Sequence, residues 1–267
     1  MPRSRQIHAV KDTIERRDPL TPLQQRLVRT IDTIGRTWNG YELHGSENIP
    51  RDRASILILY HGFMPFDAWF FLPRLWLETG IHVRALTDRW LMATPGLREL
   101  IQLGGVECAS PETGLQLLGE GHTLLVAPGG TQEALKGKAK HYQVSWGDRT
   151  GFARLALRAG VPLIPVFSEN VEELYRSPFV DSRLFQALYR RTRWPIVPVV
   201  GLGALPFPVK VRTWIGATIE PHTSDTPETL RDRTRDALQA LINTHQGPRP
   251  RLLRGLLARR HAKSEEL

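Results

Sequence analysis

Short apolar runs alternate with amphipathic stretches along most of this chain, and that alternation constrains the fold more than any other feature. Residues 56–60 (ILILY), 82–87, 106–109, 122–127, 161–167 and 209–219 are short, apolar and β-prone, with glycine or proline near several of their ends. They read as strands, several of them buried. Between them, residues 67–77, 90–103, 111–120, 150–159 and 227–245 carry helical patterns. Pro65 and Pro73 are expected to bound the first of these helices, and Pro95-Gly96 interrupts the second. Thr226 or Asp225 is placed to cap the last. Strands and helices in this order predict an α/β sandwich around a central sheet. The stretch 171–193 fits neither pattern and reads as an excursion containing a helix.

A further helix is expected before the first strand. Thr21-Pro22 supplies an N-cap and a proline at the first helical position, and Leu23, Leu27, Ile31, Ile34 and Trp38 then recur at helical spacing. The opposite face is polar and mostly basic. Such a helix either packs on the domain or lies in a membrane interface. The net charge of +9 is concentrated at the two ends. Residues 1–36 hold eight Lys/Arg against four Asp/Glu, and residues 245–267 hold six against two. The divisions expected are a basic amphipathic helical segment at 1–40, a domain at 41–246 and a basic helix or tail at 247–267.

Basic ends fit an anionic membrane surface better than nucleic acid, because the chain has no zinc-ligand spacing, RNA-binding aromatic signature or helix-turn-helix. No run approaches the ~18 apolar residues of a membrane span, and the first residues lack the apolar core of a secretory signal. The single cysteine, Cys108, permits no internal disulfide. The expectation is a cytoplasmic protein held peripherally at membranes.

Several catalytic systems are excluded by their missing motifs. No serine has the G-x-S-x-G frame, no glycine-rich nucleotide loop occurs, and Cys108 lies in an apolar strand without an evident partner. The nine histidines form no metal-ligating pattern, so no metal site is expected. What remains is His61, which ends the strand at 56–60, and Asp67, early in the next helix. The two can meet. The acid would then hold one ring nitrogen protonated and leave the other as a base. With no protein nucleophile, that base would activate a hydroxyl of the substrate itself. Around it stand Tyr60, Phe63, Phe66, Trp69, Phe70, Phe71 and Trp76, which are either core residues or the wall of an apolar channel suited to an acyl chain.

The segments "YHGFMPFD", "VAPGGTQEAL", "WGDRTGFARLALRAGVPLIPVF" and "FPVKVRTWIGATI" occur in this order. Together they resemble the glycerolipid acyltransferase (PlsC-like) superfamily, nearest its monoacylglycerol/diacylglycerol acyltransferase-like branch. The resemblance spans about residues 41–245. Two departures separate the chain from the phospholipid-making branch. Where that branch reads near F-P-E-G-T-R, this chain has Ala127, Pro128, Gly129, Gly130, Thr131 and Gln132. The arginine that ends another of its motifs has no counterpart between Gly105 and Ser110. The superfamily's commonest H-x-x-x-x-D spacing is also one residue longer here.

The resemblance implies a mixed central sheet flanked by helices, with an N-terminal helical segment in front. It implies transfer of a fatty acyl group from a thioester, acyl-CoA as co-substrate, to a lipid hydroxyl, with no cofactor. His61 is the implied general base and Asp67 its partner. The turn Pro128-Gly129-Gly130, followed by Thr131, Gln132 and Glu133, is the implied oxyanion and substrate region. Lys136, Lys138, Lys140 and Arg149 are candidates to meet donor phosphates, and Phe63, Phe66, Trp69, Phe70 and Phe71 to line the acyl channel. The missing arginines favour an uncharged acceptor, mono- or diacylglycerol or a long-chain alcohol, because a buried phosphate needs cationic partners. A phospholipid-making acyltransferase, a lipid-ester hydrolase and a non-catalytic lipid-binding protein of the same fold remain the alternatives.

Overall fold

A computed structural model describes residues 20–62, 66–87, 104–130, 133, 140–177, 181–182, 200–202, 205–246, 252 and 255–259. The strands are β1 (Glu42–His44), β2 (Ser55–Leu59), β3 (Val83–Thr87), β4 (Val106–Cys108), β5 (Thr123–Val126), β6 (Leu163–Ser168) and β7 (Arg212–Ile215). The helices are α1 (Pro22–Asn39), α2 (Phe66–Thr79), α3 (Pro111–Gly119), α4 (Gly151–Ala159) and α5 (Pro227–His245). The expected helix at 90–103 lies outside the described residues, as do Phe63, Thr131, Gln132, Lys136, Lys138 and most of 247–267.

The strands form one sheet in the order β1-β7-β6-β2-β5-β3-β4. Every neighbouring pair is parallel except β6 with β7, so the sheet is mixed. β2, at its centre, is buried along its whole length. Its alternate side chains enter two different cores. Ile56 and Ile58 pack with Leu124, Leu163, Phe152 and Leu238, on the face covered by α3, α4 and α5. Leu57 and Leu59 pack with Leu125, Ile164, Phe71 and Leu75, on the face covered by α2. A strand covered on both sides has no polar face, which is why its sequence is apolar throughout rather than alternating.

Two local expectations are corrected. α2 runs through Pro73 instead of ending there. The proline removes one backbone bond, but Phe70, Phe71 and Leu75 on either side of it are buried, and that packing holds the helix together. The late strand covers only Arg212–Ile215, not 209–219. Upstream, Lys210 and Val211 donate their amides to Gly255 and Asn39 instead of to a ladder.

α1 begins with the expected cap: Thr21 Oγ1 accepts from the Gln24 amide, and the Gln24 side chain returns the bond. Only part of its apolar stripe packs: Ile31 lies against the larger core and Trp38 is half-buried. Asp32, Gly35 and Asn39 are buried, while Leu23, Leu27 and Ile34 stay exposed. Gly35 makes this docking feasible, since a Cβ there would stand 2.9 Å from the Phe70 ring of α2. Asn39 donates to the carbonyls of Phe207 and Val209, both at 2.9 Å, and Trp38 Nε1 donates to Pro206 at 2.8 Å. The half-buried Glu42 of β1 pairs with Lys210 and Arg212, which ties the edge strand to β7 and its approach. No helix among the described residues is long and apolar enough to cross a membrane.

The topology brings the C-terminal ends of β2, β5 and β6 to one edge of the sheet. Ile58 pairs with Val126 on one side and with Pro165 on the other. The segments that follow, at 60–62, 127–130 and 169–173, therefore leave the sheet together, as ligand-binding segments do in open α/β sheets.

Candidate active site

His61 emerges two residues beyond β2, and Asp67 occupies the first turn of α2. His61 Nδ1 lies 3.1 Å from Asp67 Oδ2. The carboxylate is wholly buried, whereas about a fifth of the imidazole surface is exposed. Asp67 also accepts from the Gly62 amide (3.2 Å, Oδ2) and the Ala68 amide (2.8 Å, Oδ1). The helix N-terminus adds to this stabilisation of its negative charge. An ionised carboxylate can only accept, so Nδ1 carries the proton and Nε2 is the free base. Gly62 is required by space: a Cβ would stand 2.6 Å from Val171 Cγ2, in the turn after β6.

Buried acids lie behind the histidine. Tyr60 donates to Glu172 Oε1 at 2.6 Å and accepts from the Tyr142 amide at 2.8 Å. Tyr142 in turn donates to Glu173 and accepts from the Glu172 amide at 3.2 Å. Burial pushes the Glu173 carboxyl up to about 7, against the hydrogen bond from Tyr142 that favours its ionised form. For His61, burial acts first and favours the neutral ring. The charge and hydrogen bond of Asp67, helped by Glu133 and Glu172, outweigh it and hold the imidazole above its ordinary value.

The turn after β5 closes with the Gly130 amide donating to Ala127 at 3.1 Å. Pro128 has no N–H and that of Gly130 is engaged, so Gly129 supplies the turn's remaining amide. Glu133 is wholly buried and accepts from the Ser145 amide at 2.9 Å. Its side chain lies against Gly129 so closely that a Cβ there would be 2.2 Å from Glu133 Oε2. Arg149 donates from Nη1 to the carbonyls of Pro128 (3.0 Å) and Gly129. Lys140 is exposed.

The aromatic set divides by helical position. Phe70 and Phe71 are buried, one in each of the two cores. Phe66 and Trp69 pair on the outer side with centroids 4.9 Å apart, and Trp69 is exposed. Phe66 also contacts Tyr175, at 5.3 Å.

Sequence reasoning brought His61 and Asp67 together and missed the acids behind them. Glu172-Glu173 sits in a segment with neither helical nor strand periodicity. The tyrosine that meets Glu173, Tyr142, has a left-handed backbone (φ 60°) that no local motif announces.

The diacylglycerol acyltransferase family model matches residues 27–246 of the chain. The chain is 40% identical over 243 residues to a chicken (Gallus gallus) protein named "DGAT1/2-independent enzyme synthesizing storage lipids", covering 91% of this chain and 71% of that one. The human (Homo sapiens) protein of the same name is 38% identical over 238 residues, covering 89% and 72%. In fold, the chain is similar to the crystal structure of PlsC, the 1-acyl-sn-glycerophosphate (LPA) acyltransferase of Thermotoga maritima. The TM-score is 0.56 at 19% identity, covering 89% of this chain and 88% of that one. The chain belongs to the diacylglycerol acyltransferase family, and its fold is PlsC-like.

Asp67→Asn removes the charge that outweighs burial at His61, so the histidine's pKa is expected to fall. Titration of the His61 ring by NMR should show the wild-type midpoint above about 6.5. In the variant the midpoint should lie lower. An unchanged or higher midpoint would contradict the electrostatic account.

Proposed function

We propose that the protein transfers a fatty acyl group from acyl-CoA to the hydroxyl of a neutral lipid, mono- or diacylglycerol, with His61 as general base. The observation that carries this reading is the buried Asp67 carboxylate on His61 Nδ1, which leaves Nε2 available as a base. The acceptor hydroxyl gives its proton to Nε2 as its oxygen attacks the thioester carbonyl. A tetrahedral oxyanion forms, for which the Gly129 amide is the proposed donor. The C–S bond then breaks, and the imidazolium returns the proton to the leaving sulfur, giving an ester and free CoA. The relatives' printed role in storage-lipid synthesis supports an uncharged acceptor. So does Gln132 where the phospholipid-making branch has arginine, since glutamine can hydrogen-bond a hydroxyl but cannot neutralise a phosphate.

Purified protein with labelled acyl-CoA and a panel of monoacylglycerol, diacylglycerol, long-chain alcohol and lysophosphatidate tests the reading. A neutral acylglycerol should show the highest kcat/KM. His61→Ala should lower kcat by about a hundredfold or more without loss of fold by circular dichroism. A higher kcat/KM for lysophosphatidate would overturn the acceptor. A folded His61→Ala protein retaining more than about a tenth of wild-type transfer would remove His61 from the chemistry.

The same proposal places the protein at an anionic membrane surface. Leu23, Leu27 and Ile34 on α1, Trp69 on α2, and Leu202 and Leu205 are large apolar side chains exposed at the surface. The excess Lys/Arg at the chain ends adds attraction worth about 1 kcal/mol per residue near the surface. Flotation should recover the protein on anionic vesicles at low salt, with less recovered as salt rises. Equal recovery on neutral vesicles would contradict the electrostatic part, and Leu23→Asp/Leu27→Asp/Ile34→Asp should abolish flotation if α1 is the apolar contact.

A further inference from the structure

Residues 140–149 form a bridge between the two halves of the site. At one end the Tyr142 amide donates to Tyr60, the residue before His61. In the middle the Ser145 amide donates to Glu133, whose own amide donates to Gly129. At the far end Arg149 reaches back across 20 and 21 positions to the carbonyls of Gly129 and Pro128. The bridge is anchored from outside the site by α5. Gln239 accepts from the Val144 amide at 2.9 Å and donates to the Tyr142 carbonyl at 3.0 Å. Trp146 is buried against Phe152, with ring centroids 5.1 Å apart.

Arg149 itself is exposed. Its partners are two successive carbonyls of a tight turn; in its absence the Glu133 amide would still hold the Gly129 oxygen, and water could satisfy that of Pro128. What water would not supply is direction. In a trans peptide the carbonyl and the following N–H point to opposite sides. A guanidinium that holds the Pro128 oxygen therefore turns the Gly129 N–H away from itself. Holding the Gly129 oxygen fixes the next peptide, whose N–H closes the turn on Ala127. The pairing of Ile58 with Val126 sets His61 and Gly129 three residues beyond matched positions on neighbouring strands, so the turn and the base occupy the same level of the sheet edge.

We propose that Arg149 is a positioning residue: it fixes the peptide planes of the Pro128-Gly129-Gly130 turn and so aims the Gly129 amide at the oxyanion of the reaction. The inference rests on the proposed acyl transfer. It also assigns the Arg149 guanidinium to the protein's own backbone, where the sequence made it a candidate contact for donor phosphate.

The test compares wild type, Arg149→Ala and Arg149→Lys in acyl transfer to the best neutral acceptor, with palmitoyl-CoA and palmitoyl-dephospho-CoA as donors. Both variants should keep the wild-type melting temperature within a few degrees and the donor KM within about threefold. Their kcat should fall about ten- to a hundredfold, because a misaimed oxyanion donor loses most of its effect. Lysine keeps the charge but not the planar fork, so it should not restore the rate. Added guanidinium should partly restore Arg149→Ala. The preference between the two donors should be the same in all three proteins. A raised donor KM at unchanged kcat, with the preference for the 3′-phosphate lost, would make Arg149 a donor contact and overturn the proposal. Kinetics within twofold of wild type would overturn it as well.

A readout that needs no turnover separates this inference from the reaction it rests on. By hydrogen exchange, peptides covering 124–133 should exchange faster in Arg149→Ala, with the α5 peptides unchanged. Unchanged exchange at 124–133 would reject the clamp whether or not acyl transfer is found. Absence of transfer in wild type with faster exchange at the turn would leave the clamp standing and reject the proposed acyl transfer.

Discussion

A carboxylate with no access to water must be satisfied by the protein, and Asp67 sets the terms for everything around it. It takes the Gly62 and Ala68 amides and the imidazole of His61. The partners outside α2 impose conditions on the fold. The Gly62 amide is reached only if β2 ends where it does and the next residues pass against Val171 without a side chain. The Ala68 amide belongs to the next residue in the chain, so that bond is local to the first turn of α2. The first turn of α2 therefore sits over the end of β2, and Phe71 and Leu75, further along, fill the second core. The ion pair and the packing of α2 on the sheet enforce each other.

Behind that pair the site is unusually acidic for its depth. Glu133, Glu172 and Glu173 are all buried. Their protein partners keep the cost tolerable: Ser145 for Glu133, Tyr60 for Glu172 and Tyr142 for Glu173. The tyrosines are pushed above their ordinary range by burial and by these same acids, so they remain neutral donors. The result favours a positive charge on His61, the charge a general base acquires in the proposed reaction. The acids thus connect the packing of the core to the chemistry at its edge.

Much of this was legible in the sequence because it depends on local rules. The apolar run at 56–60 has no polar alternation, which requires cover on both faces, and the structure provides it with α2 on one side and α3, α4 and α5 on the other. Thr21 and Thr226 cap α1 and α5 by the pattern their neighbours spell out. The rest depends on tertiary contacts. The apolar stripe of α1 leaves packing on the domain and lying in a membrane interface both open; Leu23, Leu27 and Ile34 are exposed, and the helix docks through Gly35 and Asn39, because a glycine lets the backbone approach Phe70. The Arg149 contacts span 20 and 21 positions and target backbone oxygens that every sequence has, so no motif could reveal them. The aromatics near His61 read equally as core residues or as a channel wall, and only the helical rotation of α2 against two cores puts Phe70 and Phe71 inside and Trp69 at the surface.

The central claim is that the acyl group passes directly to the acceptor, activated by His61, without resting on the protein. Intact-mass spectrometry of the enzyme rapidly quenched during turnover with palmitoyl-CoA and diacylglycerol tests it most directly. The account predicts ester product appearing as thioester is consumed, with the protein at its unmodified mass at every time. A protein species heavier by one palmitoyl group that forms and decays at the rate of turnover would contradict it, since the acyl group would then pass through a side chain.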